Sequence, residues 1–277
     1  MNKPAGFLRT GCRAVAVMVH VLVGMAAAMT LRAARGPGWD RVGAGRRAAR
    51  WWHRRLAAIV GLRLDWNGIA PRGAALVAAN HVSWLDAIAI GCVCPVRFIA
   101  KSDVRGWPLI GTLLSLCGTV FVRRSGGGLA YSLETVTGLL TEGQRVVVFP
   151  EGTTSVGDSV GPFRNAFFQA AVQTAAPVQP VALRYRNDRG IDRAAAFVGD
   201  AGFVGHLLAV IARRETRVTL HFCEPLTSRH AARRDLAALA RQRIVEQLNG
   251  GPAESDATGA AAPPAVATDA RRRVSAG

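Results

Sequence analysis

The chain has 277 residues, of which 50% are hydrophobic and 19% are charged. This length and apolar content exclude a disordered chain and allow one or two domains with a buried core. The formal net charge is +17, and residues 1–55 hold eleven Lys or Arg against a single Asp. Such a basic N-terminus predicts a phosphate-rich partner, which is either an anionic membrane surface or a nucleic acid.

Residues 14–31 form an apolar run between Arg13 and Arg32. Its length is close to the roughly 20 residues with which a helix spans a bilayer, so we expect a membrane-associated helix. Because positively charged flanks stay in the cytosol, the basic cluster after this run predicts an inner-membrane protein whose remaining chain faces the cytosol. The alternative is a secretory signal peptide, which also combines a basic start with an apolar stretch.

Residues 45–64 interleave arginines with Trp51, Trp52 and aliphatic residues. This composition is typical of a helix in the headgroup layer of a membrane, with apolar rings inserted and guanidinium groups on lipid phosphates. The pattern favours a membrane surface, and not a nucleic acid, as the partner. The alternative is an ordinary helix that packs both tryptophans on the domain.

From residue 62, short apolar runs alternate with helical segments. The runs predict strands at 62–66, 75–79, 97–100, 119–123, 145–149, 178–184 and 216–222. Between and after them we predict helices at 84–92, 108–116, 129–140, 165–174, 204–211 and 231–248. The alternation indicates an α/β fold, a mixed and largely parallel sheet flanked by helices. The chain then divides into N-terminal membrane-associated helices (1–61), an α/β domain (62–249) and a disordered tail (250–277).

The segment NHVSWLD, residues 80–86, directly follows the predicted strand at 75–79, where α/β sheets place their sites. Positions five apart in one helix diverge by about 140°, so His81 and Asp86 meet only if His81 lies in the turn before the helix. A carboxylate on one imidazole nitrogen fixes the tautomer and leaves the other nitrogen free as a general base. The alternative is a histidine that merely caps the helix.

A second polar segment, FPEGTTS at residues 149–155, follows the predicted strand at 145–149. Gly152 lets the backbone approach a ligand closely, while Thr153 and Ser155 offer hydroxyl and N–H donors to an anion. The predicted strand at 119–123 leads into Arg123 and Arg124, which alternation directs to opposite sides. Only one of these two guanidinium groups can therefore face the end of the sheet.

Together these segments resemble the lysophosphatidate (1-acylglycerol-3-phosphate) acyltransferase family of glycerolipid acyltransferases. The likeness covers about residues 66–184. Four family blocks recur in order: NHx4D at 80–86, GxxF[IV]xR at 118–124, FPEGTxS at 149–155 and a Pro/Val block at 177–181.

The resemblance implies an enzyme of phospholipid biosynthesis, which moves a fatty acyl group from acyl carrier protein or coenzyme A to the free hydroxyl of lysophosphatidate. His81 would be the general base and Asp86 its partner. The acyl-acceptor site would consist of Arg124, Glu151, Gly152 and Thr153. The expected partners are the lyso-lipid, the acyl thioester and the membrane surface. We expect neither a metal nor a cofactor, because the thioester is a co-substrate.

Two departures from the family pattern leave other functions open. Thr154 stands where the family usually has Arg, and Ala166 stands where it usually has Gly. Acyltransferases that complete ornithine lipids resemble FPEGT[ST]S here, so a lyso-ornithine lipid O-acyltransferase is the alternative. More remote are a non-enzymatic basic membrane-binding module and a serine hydrolase using Ser159 in GDSVG. A nucleophile elbow needs a strand before it and a helix after it, whereas Ser159 follows a polar segment and precedes Pro162.

Overall fold

The computed structural model describes residues 3–33, 41–107, 109–117, 119–122, 128–199 and 202–250. Its strands are β1 Leu62–Gly68, β2 Ala75–Ala79, β3 Arg97–Lys101, β4 Val120–Val122, β5 Arg145–Val148, β6 Val178–Asn187, β7 Gly190–Ile191 and β8 Thr216–Phe222. Its helices are α1 Lys3–Ala33, α2 Arg41–Val60, α3 Leu85–Val93, α4 Ile110–Leu116, α5 Gly128–Thr141, α6 Phe168–Thr174, α7 Phe203–Ala212 and α8 Arg233–Gly250. The tail predicted from residue 250 lies outside the described residues, except for Gly250 itself.

The eight strands of the described chain form one sheet in the order β1-β8-β6-β2-β5-β3-β4, with β7 paired to β6. The run β6-β2-β5-β3-β4 is parallel throughout. β8 is antiparallel to β6, and β1 is parallel to β8. The predicted mixed, largely parallel sheet is therefore confirmed, and the two-residue β7 is the strand that the sequence did not predict.

The central strands are buried because both faces of the sheet are covered by helices. β2 and β5 are buried along their whole length, as expected for parallel strands that read as continuous apolar runs. Their side chains alternate between two cores. Val77 and Val147 join α2, α3 and α7 on one face, whereas Leu76 and Val146 join α5, α6 and α8 on the other.

α1 lies along the α/β domain, in contact with α2, α4 and α7. The Arg9 guanidinium donates to the carbonyl oxygen of Ala212 at 2.7 Å, and Arg13 donates to the carbonyl oxygens of Ile211, Arg213 and Arg214 at 2.6–3.2 Å. These acceptors lie at the C-terminal end of α7, where helix carbonyls lack partners within the helix. The N-terminal part of α1 is therefore bound directly to the domain.

The middle of α1 is locked to α2 by an aromatic contact. The rings of His20 and Trp52 stack at 5.1 Å, and each side chain hydrogen-bonds the backbone carbonyl of the other residue. A Cβ at Gly24 would lie 2.3 Å from Trp52 Nε1, so only glycine allows this approach. Trp52 thus faces the protein, whereas Trp51 is 54% exposed. Packing on the protein therefore holds for Trp52, whereas insertion of Trp51 into a headgroup layer stays a prediction.

The opposite side of α1 is apolar and exposed. Helix residues Gly6–Thr30 are long and apolar enough to cross a membrane. Exposed hydrophobic side chains follow each other at helical spacing along this side: Leu8, Val15, Met18, Val19, Leu22 and Met29. α1 therefore has a protein-facing side that carries Arg9, Arg13 and His20 and an apolar side without a partner in the described chain.

Candidate active site

The two predicted polar segments meet at the carboxyl ends of β2 and β5. These strands are parallel neighbours, with Ala78 opposite Val148, so the residues that follow them lie side by side. Glu151 Oε1 accepts the backbone N–H of His81 at 2.7 Å, and the N–H of Ser155 donates to the carbonyl oxygen of His81 at 2.8 Å. The backbone of His81 is therefore held on both sides by the FPEGTTS segment.

The predicted contact between His81 and Asp86 is present. His81 Nδ1 lies 2.8 Å from Asp86 Oδ2, which also accepts the backbone N–H groups of Val82 and Ser83 at 2.7 and 2.9 Å. Asp86 Oδ1 accepts the Tyr185 hydroxyl at 2.7 Å. The Asp86 side chain is 0% exposed, and four donors compensate the burial of its charge.

The imidazole of His81 is oriented for proton transfer. Since a carboxylate only accepts hydrogen bonds, Nδ1 carries a hydrogen, and in the neutral imidazole Nε2 then keeps its lone pair. The ring stacks on Phe149 with centroids 4.0 Å apart and planes at 15°. The His81 side chain remains 23% exposed at the end of the sheet. This arrangement presents a free basic nitrogen to a substrate from a rigid ring.

Asn80 joins this segment to β6. Its amide nitrogen donates to the carbonyl oxygen of Leu183 at 3.0 Å, and its amide oxygen accepts the N–H of Leu183 at 2.7 Å. Asn80 is buried and thereby extends the pairing of β2 with β6 by one residue. The asparagine of the NHx4D block therefore fixes the position of His81 relative to β6.

Sequence reasoning missed Tyr185, which lies on β6 two residues beyond Leu183. The side chain is buried on the sheet face that packs against α3, whose first turn contains Asp86. Burial, and secondly the charge and hydrogen bond of Asp86, raise the pKa of the Tyr185 phenol well above its usual value. The phenol therefore stays protonated and remains a donor. The signal available in the sequence was the alternation of Val181, Leu183 and Tyr185.

Of the residues assigned to the acceptor site by resemblance, Glu151 binds two backbone N–H groups of the protein itself. Its Oε1 holds His81, and its Oε2 accepts the N–H of Gly161 at 2.8 Å. The two oxygens therefore already have backbone partners, and contact of Glu151 with an acceptor stays a prediction. Gly152 has a φ of +73°, which suits glycine, and the neighbouring Thr153 is exposed.

The hydroxyl of Thr154 is engaged by the backbone of a neighbouring segment. Its hydroxyl donates to the carbonyl oxygen of Phe197, whose own N–H donates to the carbonyl oxygen of Val82 at 2.9 Å. Thr154 thus ties the FPEGTTS segment to a third segment that also holds the NHVSWLD turn. A different cation lies close by, because Arg164 Nε would be 3.1 Å from a Cβ at Gly152 and the Arg164 side chain is exposed.

α7 supports the start of α3 through Trp84. The Trp84 indole N–H donates to His206 Nδ1 at 2.9 Å, and His206 Nε2 lies 3.1 Å from the carbonyl oxygen of Ala196. An indole only donates, so His206 carries its hydrogen on Nε2 and is neutral. Burial lowers the pKa of His206, which agrees with this neutral form. The segment before Asp86 is therefore braced from α7.

Two residues of the remaining hypotheses are Arg124 and Ser159. Arg124, assigned to the acceptor by resemblance, lies outside the described residues. Ser159 lies in an exposed loop between β5 and α6, with its hydroxyl 3.3 Å from the Asp158 carboxylate. It therefore lacks the strand-turn-helix setting of a nucleophile elbow.

Comparisons with known proteins identify the family of the chain. Residues 66–184 match the acyltransferase family model. The lyso-ornithine lipid O-acyltransferase of Pseudomonas aeruginosa is 36% identical over 82% of this chain and 88% of its own length. The enzyme of the same name from Rhizobium meliloti is 36% identical over 80% of this chain and 85% of its own length. The 1-acyl-sn-glycerol-3-phosphate acyltransferase of Neisseria gonorrhoeae is 37% identical over 60% of this chain and 66% of its own length.

The fold also has a counterpart among crystal structures. The 1-acyl-sn-glycerophosphate acyltransferase of Thermotoga maritima superposes with a TM-score of 0.69 at 21% identity, over 93% of this chain and all of that one. At this identity the likeness concerns the fold alone. Combined with the relatives that match most of the chain, the observations show that this protein belongs to the acyltransferase family and is an acyltransferase.

Proposed function

We propose that the enzyme transfers a fatty acyl group from a thioester to the hydroxyl of a lyso-lipid, with His81 as the general base. The observation that carries this proposal is the His81–Asp86 pair, because in the neutral imidazole it leaves Nε2 without a hydrogen, on a ring that is partly exposed and rigidly held. A general base of this kind is what a hydroxyl needs in order to attack a carbonyl at neutral pH.

The reaction needs no covalent enzyme intermediate. His81 Nε2 takes the proton of the acceptor hydroxyl while the hydroxyl oxygen attacks the thioester carbonyl carbon. The tetrahedral intermediate then collapses, the carbon–sulfur bond breaks, and the imidazolium returns its proton to the departing thiolate. Throughout, the Asp86 carboxylate stabilises the imidazolium and fixes the tautomer of His81. The thioester is that of acyl carrier protein or coenzyme A.

For the acceptor, we infer a lyso-ornithine lipid as the first candidate. The family Arg is absent at position 154, and the hydroxyl of Thr154 is engaged with the backbone of Phe197. The Pseudomonas and Rhizobium relatives, which match four fifths of the chain, carry this activity in their names. Among the described residues, Arg164 places a cation beside Gly152, which would suit the carboxylate of an ornithine headgroup. Lysophosphatidate, the acceptor implied by the sequence blocks, becomes the second candidate.

An acceptor assay of the purified enzyme tests this proposal. With labelled acyl carrier protein or coenzyme A thioester, we expect acylation of lyso-ornithine lipid at a higher kcat/KM than acylation of lysophosphatidate. The variant Thr154→Arg should raise kcat/KM for lysophosphatidate by about tenfold, because a charge-assisted hydrogen bond contributes about 1.5–3 kcal/mol. It should not improve turnover of the zwitterionic lipid.

Thr141→Arg is the matched control, since it adds the same charge at an exposed position at the end of α5. It should leave both acceptors unaffected. Efficient acylation of lysophosphatidate with hardly any of the ornithine lipid would overturn the order of acceptors but not the acyltransferase reaction. Failure to acylate either lyso-lipid with both donors would contradict the proposed function.

We also propose that α1 lies in the plane of the membrane and does not cross the bilayer. Contacts from Arg9 to Gly24 hold about 22 Å of this helix against the domain, at 1.5 Å per residue. A helix attached along such a length cannot be surrounded by lipid, whereas its exposed apolar side can enter one leaflet. The same contacts argue against a cleaved signal peptide. The basic α2 favours the cytosolic face of the inner membrane, where anionic lipids attract arginine.

Membrane fractionation checks this orientation. The wild-type protein should stay with membranes in about 1 M salt, because screening does not weaken the burial of apolar side chains. The double variant Val19→Asp, Leu22→Asp should release it, since burial of each side chain contributes about 1.5–3 kcal/mol. Both side chains are about half exposed, so the fold should survive.

Ile69→Asp provides the control for this experiment, because Ile69 is an exposed apolar residue between β1 and β2. This variant should remain bound to membranes. Release of the wild-type protein by salt alone would show that α1 is not inserted. Retention of the double variant on membranes would contradict the in-plane orientation.

A further inference from the structure

A third residue, the buried Tyr185, contacts the His81–Asp86 pair. Tyr185 donates its hydroxyl to Asp86 Oδ1 at 2.7 Å, on the oxygen that His81 does not contact. Three of the four donors to Asp86 come from residues 81–83 of the same turn. Tyr185 is the donor that comes from the sheet, and it is 99 positions away in sequence. The carboxylate is therefore held between the turn and β6.

The position of Tyr185 is itself fixed by several contacts. On β6 it pairs with Val218 of β8, and its carbonyl oxygen accepts the N–H of Asp192 at 3.0 Å. The Asp192 carboxylate is buried and bonded to Arg213, just after α7. The side chain of Tyr185 is only 2% exposed, so its ring has no freedom to leave Asp86. Because the ring is fixed, the Tyr185 hydroxyl donates its hydrogen bond to Asp86 Oδ1 from a constant position.

We propose that Tyr185 is a positioning residue, which sets the basicity of His81 through Asp86. A carboxylate with a donor on each oxygen shares its negative charge between two hydrogen bonds. Without the phenol, the charge concentrates on Oδ2, and the pair takes up a proton at higher pH. The proton then resides on the pair at pH values where the wild-type base is free. This inference rests on the proposed role of His81 and Asp86.

The variant Tyr185→Phe tests this role, because it removes the hydroxyl and keeps the ring in the core. We expect kcat at pH values on the acid limb to fall about threefold to tenfold, with the KM values for donor and acceptor within about twofold of wild type. The acid limb of the pH dependence of kcat should move to higher pH by about half a unit to one unit. A merely structural role would lower the amount of folded enzyme and leave this limb in place.

The groups that face the pair define what else could titrate there. Glu151 contacts the backbone N–H of His81, and the Asp192–Arg213 ion pair lies behind Tyr185. His206 reaches the turn through Trp84 and is neutral. None of these contacts changes in Tyr185→Phe. A moved acid limb in this variant therefore reports on the His81–Asp86–Tyr185 set.

The chain offers a matched control, because its two tyrosines are Tyr131 and Tyr185. Tyr131 is exposed on α5, and Tyr131→Phe should keep the wild-type kcat and pH dependence. If Tyr185→Phe does not fold, 3-fluorotyrosine incorporated into Tyr131→Phe labels position 185 alone. This more acidic phenol is a stronger donor, so the acid limb should move to lower pH.

The outcomes separate this inference from the proposed function. A wild-type kcat and pH dependence in Tyr185→Phe, together with an inactive His81→Ala, would overturn the role of Tyr185 only. An active His81→Ala would remove the proposed function, and the role of Tyr185 with it. A change in KM alone would also contradict a positioning role, as would an unmoved acid limb with 3-fluorotyrosine.

Discussion

Replacement of His81 by Ala should lower kcat by about a thousandfold or more. A general base typically contributes about 10² to 10⁴, and the ring also positions the attacking hydroxyl. The protein should remain folded, because the contacts of His81 with Glu151 and Ser155 involve its backbone. The measurement is single-turnover acyl transfer by the purified variant, with circular dichroism to check the fold.

His221→Ala serves as the comparison, since it removes a partly buried imidazole from β8 in the same sheet. Its turnover should stay within about twofold of wild type, as is usual for a substitution away from the chemistry. If purified His81→Ala kept more than about a tenth of wild-type turnover, His81 would not be the general base. The proposed mechanism would then be wrong, although the acyltransferase family would stand.

Replacement of Asp86 by Asn should lower kcat by about a hundredfold or more. The oxygen of the introduced amide can accept from His81, Val82 and Ser83, and its nitrogen can donate to Tyr185 once that hydroxyl rotates. The hydrogen bonds are then kept while the negative charge is lost, so the imidazolium is no longer stabilised. The acid limb of the pH dependence should therefore move to lower pH, opposite to that of Tyr185→Phe.

The control for this variant is Asp158→Asn, which removes an exposed carboxylate paired with Arg193. Surface pairs of this kind contribute about 0–1 kcal/mol, and activity should not change. The free energy of unfolding of Asp86→Asn should fall by no more than about 1–3 kcal/mol. This is the cost of one unsatisfied buried group, here the second N–H of the introduced amide. Wild-type kcat in folded Asp86→Asn would show that the charge of Asp86 has no part in the reaction.

The sequence by itself determined the class of fold and the place of the site. Apolar runs that alternate with amphipathic segments predicted every strand of the parallel run, because burial on both faces requires continuous apolar residues. The NHVSWLD segment was expected at the carboxyl end of a strand, where α/β sheets place their sites, whereas the pairing of β2 with β5 that brings the FPEGTTS segment beside it came from the structure. Helix geometry allowed the contact of His81 with Asp86 on condition that His81 lies in the turn, and the family resemblance implied it. The family likeness rests on the same short segments.

The tertiary structure alone decided which side chains support the pair. The sequence predicted β6 to end at residue 184, but pairing with β8 and β7 carries it to Asn187 and orders Tyr185 beneath Asp86. Glu151 and Thr154 lie in a recognisable motif, yet their partners His81 and Phe197 are 70 and 43 positions distant. Arg13, which attaches α1 to the domain, is about two hundred positions from its partner Arg213 in the sequence. Such contacts arise from packing between distant segments, which no local periodicity encodes.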